Sequence, residues 1–187
     1  CAAVCPTQAL GVDDRGRVVS ADLGKCLFCA ECEAACSAGA LHFTQDYRLA
    51  TRRRSDLVTD GRAPLAAEPL EGEILSLVGR SLKLRQVSAG GCNACEADTN
   101  VLSTLTFDLG RFGIQFVASP RHADGILVTG PVTRNMRLAL EKTYEAVPAP
   151  KIVIAVGACA ISGGPYAGHR EAHDGVDSII PVDLYVP

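Results

Sequence analysis

The sequence has no tryptophan, and aromatic residues make up only 5% of the chain. With a net charge of −3 there is also no overall basic surface, so the composition argues against nucleic-acid binding by base stacking or by charge. No apolar run approaches the roughly 20 residues that a transmembrane helix requires. Neither a G-x-G-x-x-G loop nor a G-x-x-x-x-G-K-[ST] loop occurs, which argues against dinucleotide and ATP sites.

Cysteine, in contrast, is abundant: nine occur in 187 residues, and six of them lie within the first 36. An odd number cannot pair completely, and dense C-x2-C spacing is typical of metal ligands rather than of disulfides. The rest of the composition, 48% hydrophobic and 21% charged, is that of an ordinary globular protein. The cysteines are therefore the residues most informative about function.

Residues 1–43 contain an internal repeat with an offset of 31. Residues 1–12 and 32–43 share five of twelve positions, including both cysteines. Short strands are predicted at residues 9–12, 17–19 and 40–43, with a turn at 13–16.

We interpret residues 44–84 as a connector between the two parts of the chain. Its apolar spacing indicates one helix over residues 73–82. Arg52, Arg53 and Arg54 form a basic run, which fits a solvated face, a contact with anionic lipid or a contact with another subunit.

Residues 85–187 have the pattern of a parallel α/β unit. Strands are predicted at residues 114–117, 125–129 and 152–156, with a helix at 133–147 between the last two. These two strands are nearly all apolar, as expected of strands buried on both faces. Because the order is strand, helix, strand, we expect a parallel sheet with a right-handed crossover. Ligands of such sheets bind beyond the carboxyl ends of the strands, here at residues 129–131 and 157–159.

Four cysteines follow the C-x2-C-x2-C-x3-C spacing of bacterial ferredoxins: Cys26, Cys29, Cys32 and Cys36. Cys1 and Cys5, followed by Pro6, have the spacing of the end of an earlier copy. In this motif the fourth cysteine serves the other cluster. That rule assigns Cys26, Cys29, Cys32 and Cys5 to one complete [4Fe–4S] site. It assigns Cys36 and Cys1 to another, which lacks two ligands in this chain. Structural zinc is the alternative, although the paired cysteines of zinc ribbons are usually farther apart.

Cys92 and Cys95 form a separate C-x2-C pair, and Cys159 follows the last clear strand beside Gly157. Glycine lets a loop approach a cofactor closely. A helix predicted after Cys95, through Leu105, would favour the negative charge of a thiolate-bound cluster at its N-terminus. The two loops can meet at one sheet edge and provide three thiolates. A third metal site and a buried, purely structural Cys159 are both compatible with this pattern.

Four motifs in the second half resemble a single family: GCNACEAD at residues 91–98, SPRHADGILVTGPVT at 119–133, VGACAISGG at 156–164 and PVDLYVP at 181–187. The family is the 20 kDa small subunit of NADH:quinone oxidoreductase, with the related subunits of membrane-bound nickel–iron hydrogenases, including formate hydrogenlyase. The resemblance covers roughly residues 85–187. Residues 1–43 resemble the two-cluster ferredoxin-like subunit of the same complexes.

This resemblance implies an α+β ferredoxin-type domain followed by an α/β flavodoxin-like domain with a parallel sheet. It implies that Cys92, Cys95 and Cys159 ligate one [4Fe–4S] cluster. The family's fourth cysteine follows the PVDLYVP motif, so the chain resembles a fragment cut at both ends, with up to three clusters in the intact protein. Nothing in the sequence indicates a flavin.

The implied function is that of an electron-transfer subunit without catalytic residues of its own. It would work with a large catalytic subunit, on the cytoplasmic face of the membrane and held there through partner subunits. The alternative class is a zinc-binding structural or assembly protein. A free-standing redox sensor is less favoured, because no DNA-binding segment is visible.

Two further features concern the second site. The Cys92-x2-Cys95 spacing is similar to that of the hydrogenase branch, whereas the quinone-reducing branch typically has two adjacent cysteines. For Glu96, the resemblance implies a position near the proton path of the large subunit, and the alternative is a solvent-exposed carboxylate favoured by the helix dipole. The sequence favours the exposed carboxylate.

His169 and His173 have the spacing of one helical turn. Pro165, Gly168 and Gly175 surround them, so the sequence favours a surface loop instead.

Overall fold

A computed structural model describes residues 1–61, 67 and 81–187. Its smaller sheet is antiparallel, in the order β1 (Leu10–Val12), β2 (Val18–Asp22), β3 (Val58–Thr59). Its larger sheet is parallel, in the order β5 (Ile114–Phe116), β4 (Leu82–Ser88), β6 (Gly125–Thr129), β7 (Ile152–Val156), β8 (Leu184–Val186). In the described ranges, the α-helices are α1 (Glu31–Ala34), α2 (Ala94–Val101), α3 (Arg134–Ala146) and α4 (Ala158–Ser162). Short 3-10 helices occupy Ala2–Val4, Arg54–Leu57, Leu109–Phe112, Pro120–His122, Gly164–Tyr166 and Val176–Ser178. Among the described residues, no helix has the length and apolar character needed to cross a membrane.

The β1–β2 hairpin forms where the sequence predicts two short strands around a turn. Asp13 Oδ1 accepts hydrogen bonds from the N–H groups of Arg15 (3.0 Å) and Arg17 (2.8 Å), which closes the turn. The prediction of a strand at residues 40–43 is wrong, because these residues form no regular secondary structure. The Phe43 N–H instead donates to Oε2 of Glu33 at 3.1 Å, so a side chain takes the place of a strand partner.

The internal repeat is visible in the backbone as well as in the residues. The Gln8 N–H donates to the Cys5 carbonyl at 3.3 Å, and 31 residues later the Gly39 N–H donates to the Cys36 carbonyl at 3.0 Å. Gln8 and Gly39 also share a left-handed conformation, with φ of 52° and 58°. This region is uncommon for a residue other than glycine. The two copies therefore share a local structure that extends beyond their identical positions.

The larger sheet confirms the parallel α/β architecture. β6 and β7 occupy their predicted positions, and every residue of β6 is buried. The helix predicted at residues 133–147 forms as α3, whereas the helix predicted after Cys95 ends at Val101 rather than at Leu105. β4 was not predicted, because its first residue, Leu82, belongs to the helix that the sequence pattern predicts, and the consecutive polar residues Arg85 and Gln86 interrupt the alternation of a strand. Residues 73–80 of that predicted helix lie outside the described residues.

The core lies on both faces of the larger sheet, since alternate residues of a strand point in opposite directions. On one face, Ile126, Val128 and Val153 pack with Leu140 of α3. On the other face, a smaller buried cluster contains Leu84, Leu127 and Ile154. Burial on both faces explains the nearly continuous apolar sequences of β6 and β7.

Part of the predicted connector ties the two sheets together. Thr51 exchanges two backbone hydrogen bonds of 2.9 Å with Tyr185 of β8. Leu57 is fully buried in the main core, and its carbonyl accepts a hydrogen bond of 2.9 Å from the N–H of Leu23, directly after β2. Residues 51–57 therefore contact both sheets.

Candidate metal centres

Four cysteines line one cavity in the first part of the chain. All nine cysteines have free thiols, so each is available as a ligand. The cavity-lining cysteines are Cys5, Cys26, Cys29 and Cys32. This is the set that the crossing rule assigns to one cluster. Apolar side chains, among them Leu27 and Phe43, complete the wall of the cavity.

The electrostatics of this cavity reflect crowding of thiols around Cys26. Burial raises the pKa of the Cys26 thiol, and the nearby groups of Cys5, Cys32 and Cys29 raise it further. The Phe28 N–H donates to Cys26 Sγ at 3.3 Å and opposes this effect. A bound cation would favour deprotonation of such thiols. The arrangement therefore suits a positively charged metal group.

The first half of the chain repeats one N–H···S hydrogen bond. The Ala9 N–H donates to Cys5 Sγ at 3.2 Å, and the Ala40 N–H donates to Cys36 Sγ at 3.3 Å. Burial acts to raise the pKa of Cys5, but hydrogen bonds from backbone groups and from the Thr7 side chain outweigh it, and the net pKa is lowered. The donor from Ala40 is the main cause of the lowered pKa of Cys36. Both sulfurs are thus prepared to carry negative charge.

Cys1 and Cys36 do not line the cavity of the other four cysteines. Cys1 is exposed and directly precedes the 3-10 helix Ala2–Val4, and Cys36 is half-buried. Their assignment to a second cluster stays a prediction.

The second candidate site lies at the carboxyl ends of the parallel strands. Cys92 and Cys95 lie on the loop and the first turn of α2 that follow β4, and Cys159 lies on α4 after β7. Burial raises the pKa of Cys159 to about 11, with further contributions from Cys95, Cys92 and Glu96. A Cβ placed on Gly157 would lie only 2.5 Å from Cys95 Sγ. The structure thus brings three thiols to one edge of the sheet.

Two glycines allow the Cys92 loop to lie against the end of β6. A Cβ on Gly130 would come within 2.6 Å of the Gly91 nitrogen, so the two backbones pack directly against each other. Gly130 also has a φ of 83°, which a residue with a side chain rarely adopts. The loop is therefore held by backbone packing.

Glu96 is buried, with 6% of its surface exposed, so the sequence-based interpretation as a solvent-exposed carboxylate is wrong. Its Oε1 accepts hydrogen bonds from Ser88 Oγ at 2.6 Å and from Thr129 Oγ1 at 2.7 Å. Burial alone would raise the pKa of Glu96, but these two donors outweigh it and lower the pKa. The carboxylate therefore links α2 to the ends of β4 and β6.

Sequence reasoning missed Ser88 and Thr129 as parts of this site. They are the last residues of β4 and β6 and are paired in the sheet. The available signal was a hydroxyl residue at the end of each strand, but neither β4 nor its pairing with β6 was predicted from the sequence.

Replacing Glu96 with alanine is expected to destabilise the folded chain by about 2–3 kcal/mol, because the buried hydroxyl of Thr129 and the hydroxyl of Ser88 lose their charged acceptor. Glu96→Gln should cost less, since the amide oxygen can accept both hydrogen bonds. Urea unfolding of the full chain measures the difference. Asp98→Ala is the matched control, because Asp98 is an exposed carboxylate on the same helix and should change stability by no more than about 0.5 kcal/mol. Equal losses in Glu96→Ala and Asp98→Ala would show that the buried contact contributes nothing.

Two other sequence-based expectations changed. Arg54 is not a solvated surface residue, because its guanidinium forms a paired contact with Asp22. His169 is exposed as predicted, but His173 is partly buried, and its Nε2 has no hydrogen-bond partner among the described residues.

Both candidate sites have donor sets that fit an iron–sulfur cluster. Their candidate ligands are thiols only, and backbone N–H groups donate to sulfurs of the first site, as is typical around such clusters. In the described part of the chain, no three His, Cys, Asp or Glu side chains are arranged around a position for a single metal ion. A four-iron cluster instead distributes its thiolates over four separate irons.

Residues 92–187 match the family described as NADH ubiquinone oxidoreductase, 20 kDa subunit. Formate hydrogenlyase subunit 7 of Escherichia coli K12 is 42% identical over 118 residues, which are 63% of this chain and 46% of that protein. A probable membrane-bound hydrogenase subunit, mbhJ, of Pyrococcus furiosus is 42% identical over 115 residues, which are 62% of this chain and 69% of that protein.

A solved chain of the membrane-bound sulfane sulfur reductase, an archaeal respiratory membrane complex, is also similar. It has 38% sequence identity and a TM-score of 0.51, and the match covers 64% of each chain. The chain spans less than half of formate hydrogenlyase subunit 7 and somewhat less than two thirds of this structural neighbour.

Proposed function

Since the chain belongs to the family of the 20 kDa subunit of NADH:ubiquinone oxidoreductase, we propose that it relays electrons within a multisubunit oxidoreductase. The observation that carries this proposal is the convergence of Cys92, Cys95 and Cys159 at one edge of the parallel sheet. This site lies within the residues that match the family. It supplies three of the four thiolates that a [4Fe–4S] cluster commonly uses.

The first part of the chain is proposed as a ferredoxin-type domain. Cys5, Cys26, Cys29 and Cys32 would hold one complete [4Fe–4S] cluster there. Cys1 and Cys36 would contribute to another. The cavity shared by the first four thiols and the repeated N–H···S hydrogen bond support this assignment. With the Cys92 site, this proposal amounts to up to three clusters.

A bound [4Fe–4S] cluster supplies reversible one-electron oxidation and reduction. The chain's own residues would position the thiolates and donate hydrogen bonds to sulfur. Phe43 and Leu27 line the first site with apolar surface. At the second site the Glu96 carboxylate adds a fixed negative charge close to Cys95 and Cys159. Charge, hydrogen bonding and exposure are the properties by which a protein sets a cluster's potential.

Catalysis is proposed to take place in a large partner subunit, with the second site closest to it. The Cys92-x2-Cys95 spacing favours a hydrogenase-type partner that acts on protons or hydrogen over a quinone reductase. The names of two relatives, a formate hydrogenlyase subunit and a membrane-bound hydrogenase subunit, are in keeping with this choice. Through such partners the chain would associate peripherally with the cytoplasmic face of a membrane complex.

Anaerobic purification of the full-length subunit with its complex tests the proposal. We expect iron and acid-labile sulfide in equal amounts, electron paramagnetic resonance (EPR) signals after reduction, and hydrogen evolution by the complex. Zinc without sulfide would contradict the redox function and favour a structural or assembly role. If the complex contains clusters and reduces quinone but evolves no hydrogen, the electron relay is supported and the hydrogenase-type partner is rejected.

A further inference from the structure

A hydrogen bond joins the two candidate sites although their residues are far apart in the sequence. Ser162 Oγ donates to the Gly24 carbonyl at 2.9 Å, across 138 positions of the chain. Gly24 is two residues before Cys26, and Ser162 is three residues after Cys159 on α4. The contact therefore lies between the loop of one site and the helix of the other.

Gly24 is needed at this contact for space. It is buried, and a Cβ placed on it would lie 2.8 Å from Ile161 Cγ2 and 2.8 Å from the guanidinium carbon of Arg54. Its φ lies outside the left-handed range, so an alanine would meet no conformational strain there. The close approach of the Cys26 loop to α4 consequently depends on the missing side chain.

An ion pair also holds this loop. Arg54 donates from Nη1 to Asp22 Oδ1 at 2.8 Å and from Nη2 to Oδ2 at 2.7 Å. Oδ1 of Asp22 also accepts the Gly24 N–H at 3.0 Å. The pair is largely shielded, with side-chain exposures of 24% and 17%. Bidentate pairs of this kind combine strength with a defined geometry.

The ion pair is anchored in the main core. Arg54 begins the 3-10 helix that ends at Leu57, whose side chain is fully buried against the larger sheet. The Leu23 N–H donates to the Leu57 carbonyl at 2.9 Å. The loop before Cys26 is thus held to the larger sheet by an ion pair, two hydrogen bonds and close packing.

We propose that Asp22, Gly24, Arg54 and Ser162 are positioning residues that fix the separation and orientation of the Cys26 site relative to the Cys159 site. This inference rests on the proposed electron relay. An electron that passes between the sites makes and breaks no bond, and its rate depends steeply on their separation. The bonded route is short: two residues from Cys26 to Gly24, one hydrogen bond, and three residues from Ser162 to Cys159.

Gly24→Ala and Gly110→Ala form a matched pair for the test. Both glycines lie outside the left-handed range, but a Cβ at Gly110 would have nothing within 4 Å. Pulsed EPR on the reduced full-length protein measures the dipolar interaction between the two sites, alongside iron and sulfide content. Gly24→Ala is expected to keep its iron and show a longer distance and a weaker interaction, whereas Gly110→Ala should match the parent protein.

If Gly24→Ala loses iron, Ser162→Ala is used to test the proposal instead. Ser103→Ala is its control, because Ser103 is exposed. The Ser162 hydroxyl is shared between the Gly24 and Ala158 carbonyls, so its removal weakens the contact without adding bulk. Amide hydrogen exchange at Leu23 should also become faster, a readout that does not require the clusters. An unchanged dipolar interaction and unchanged exchange would overturn the proposal. A parent protein that lacks clusters would instead overturn the electron relay itself.

Discussion

Replacing Cys159 with alanine is expected to abolish the cluster of the second site and electron delivery to the partner subunit. Cys92 and Cys95 come from one segment after β4. Cys159 comes from α4, which follows β7, and lies close to them. Without Cys159, this part of the site keeps only the Cys92 and Cys95 thiolates, which come from one segment of the chain, whereas a [4Fe–4S] cluster commonly uses four thiolates. The full-length subunit should therefore lose about four iron atoms and the matching sulfide. Iron analysis and EPR of the purified complex measure this loss.

Cys29→Ala provides the reciprocal control. Because Cys29 lines the cavity with Cys5, Cys26 and Cys32, its replacement should remove the first site's signal and leave the second intact. Comparing the EPR spectra of the two variants assigns each signal to one of the two sites. If Cys159→Ala keeps all clusters and full turnover, Cys159 is a packing residue and the hydrogenase-like interpretation loses its main support.

The parts of the fold that the sequence predicts are those in which each segment carries its own pattern. β6 and β7 are apolar on both faces, so their burial is visible without knowledge of their neighbours. β4 lies beside β6 but contains Lys83, Arg85 and Gln86, and its pattern therefore resembles that of a surface segment. Its place in the sheet follows from pairing with β6, which a single segment cannot reveal.

The same distinction applies to the sites. The spacing of the cysteines is a local property and led to both candidate centres. The burial of Glu96 is not local, since its partner Thr129 is 33 residues away and reaches it only through the pairing of β4 with β6. The contact between Gly24 and Ser162 spans 138 residues and depends on how the two sheets pack. Interactions of this kind are determined by topology, which the local patterns do not specify.

Gly157→Ala is expected to disrupt the second site without removing any cysteine. Gly157 has φ 84° and ψ 157°, a combination that is essentially restricted to glycine. An alanine Cβ would lie 2.5 Å from Cys95 Sγ, so the sulfur must move or the turn before α4 must change. Either change separates Cys95 from Cys159. We expect loss of the second site's EPR signal and iron, with the first site's signal retained.

Gly168→Ala separates this steric effect from backbone strain. Gly168 also has a positive φ, 75°, but a Cβ there would have nothing within 4 Å. Its replacement should cost roughly 1–2 kcal/mol of stability through strain alone and leave both signals unchanged. Urea unfolding and EPR of the two variants compare these effects directly. If Gly157→Ala and Gly168→Ala lose the same stability and both keep the second signal, the Cys95 sulfur tolerates the displacement. The requirement for glycine before α4 would then come from the backbone and not from the thiol site.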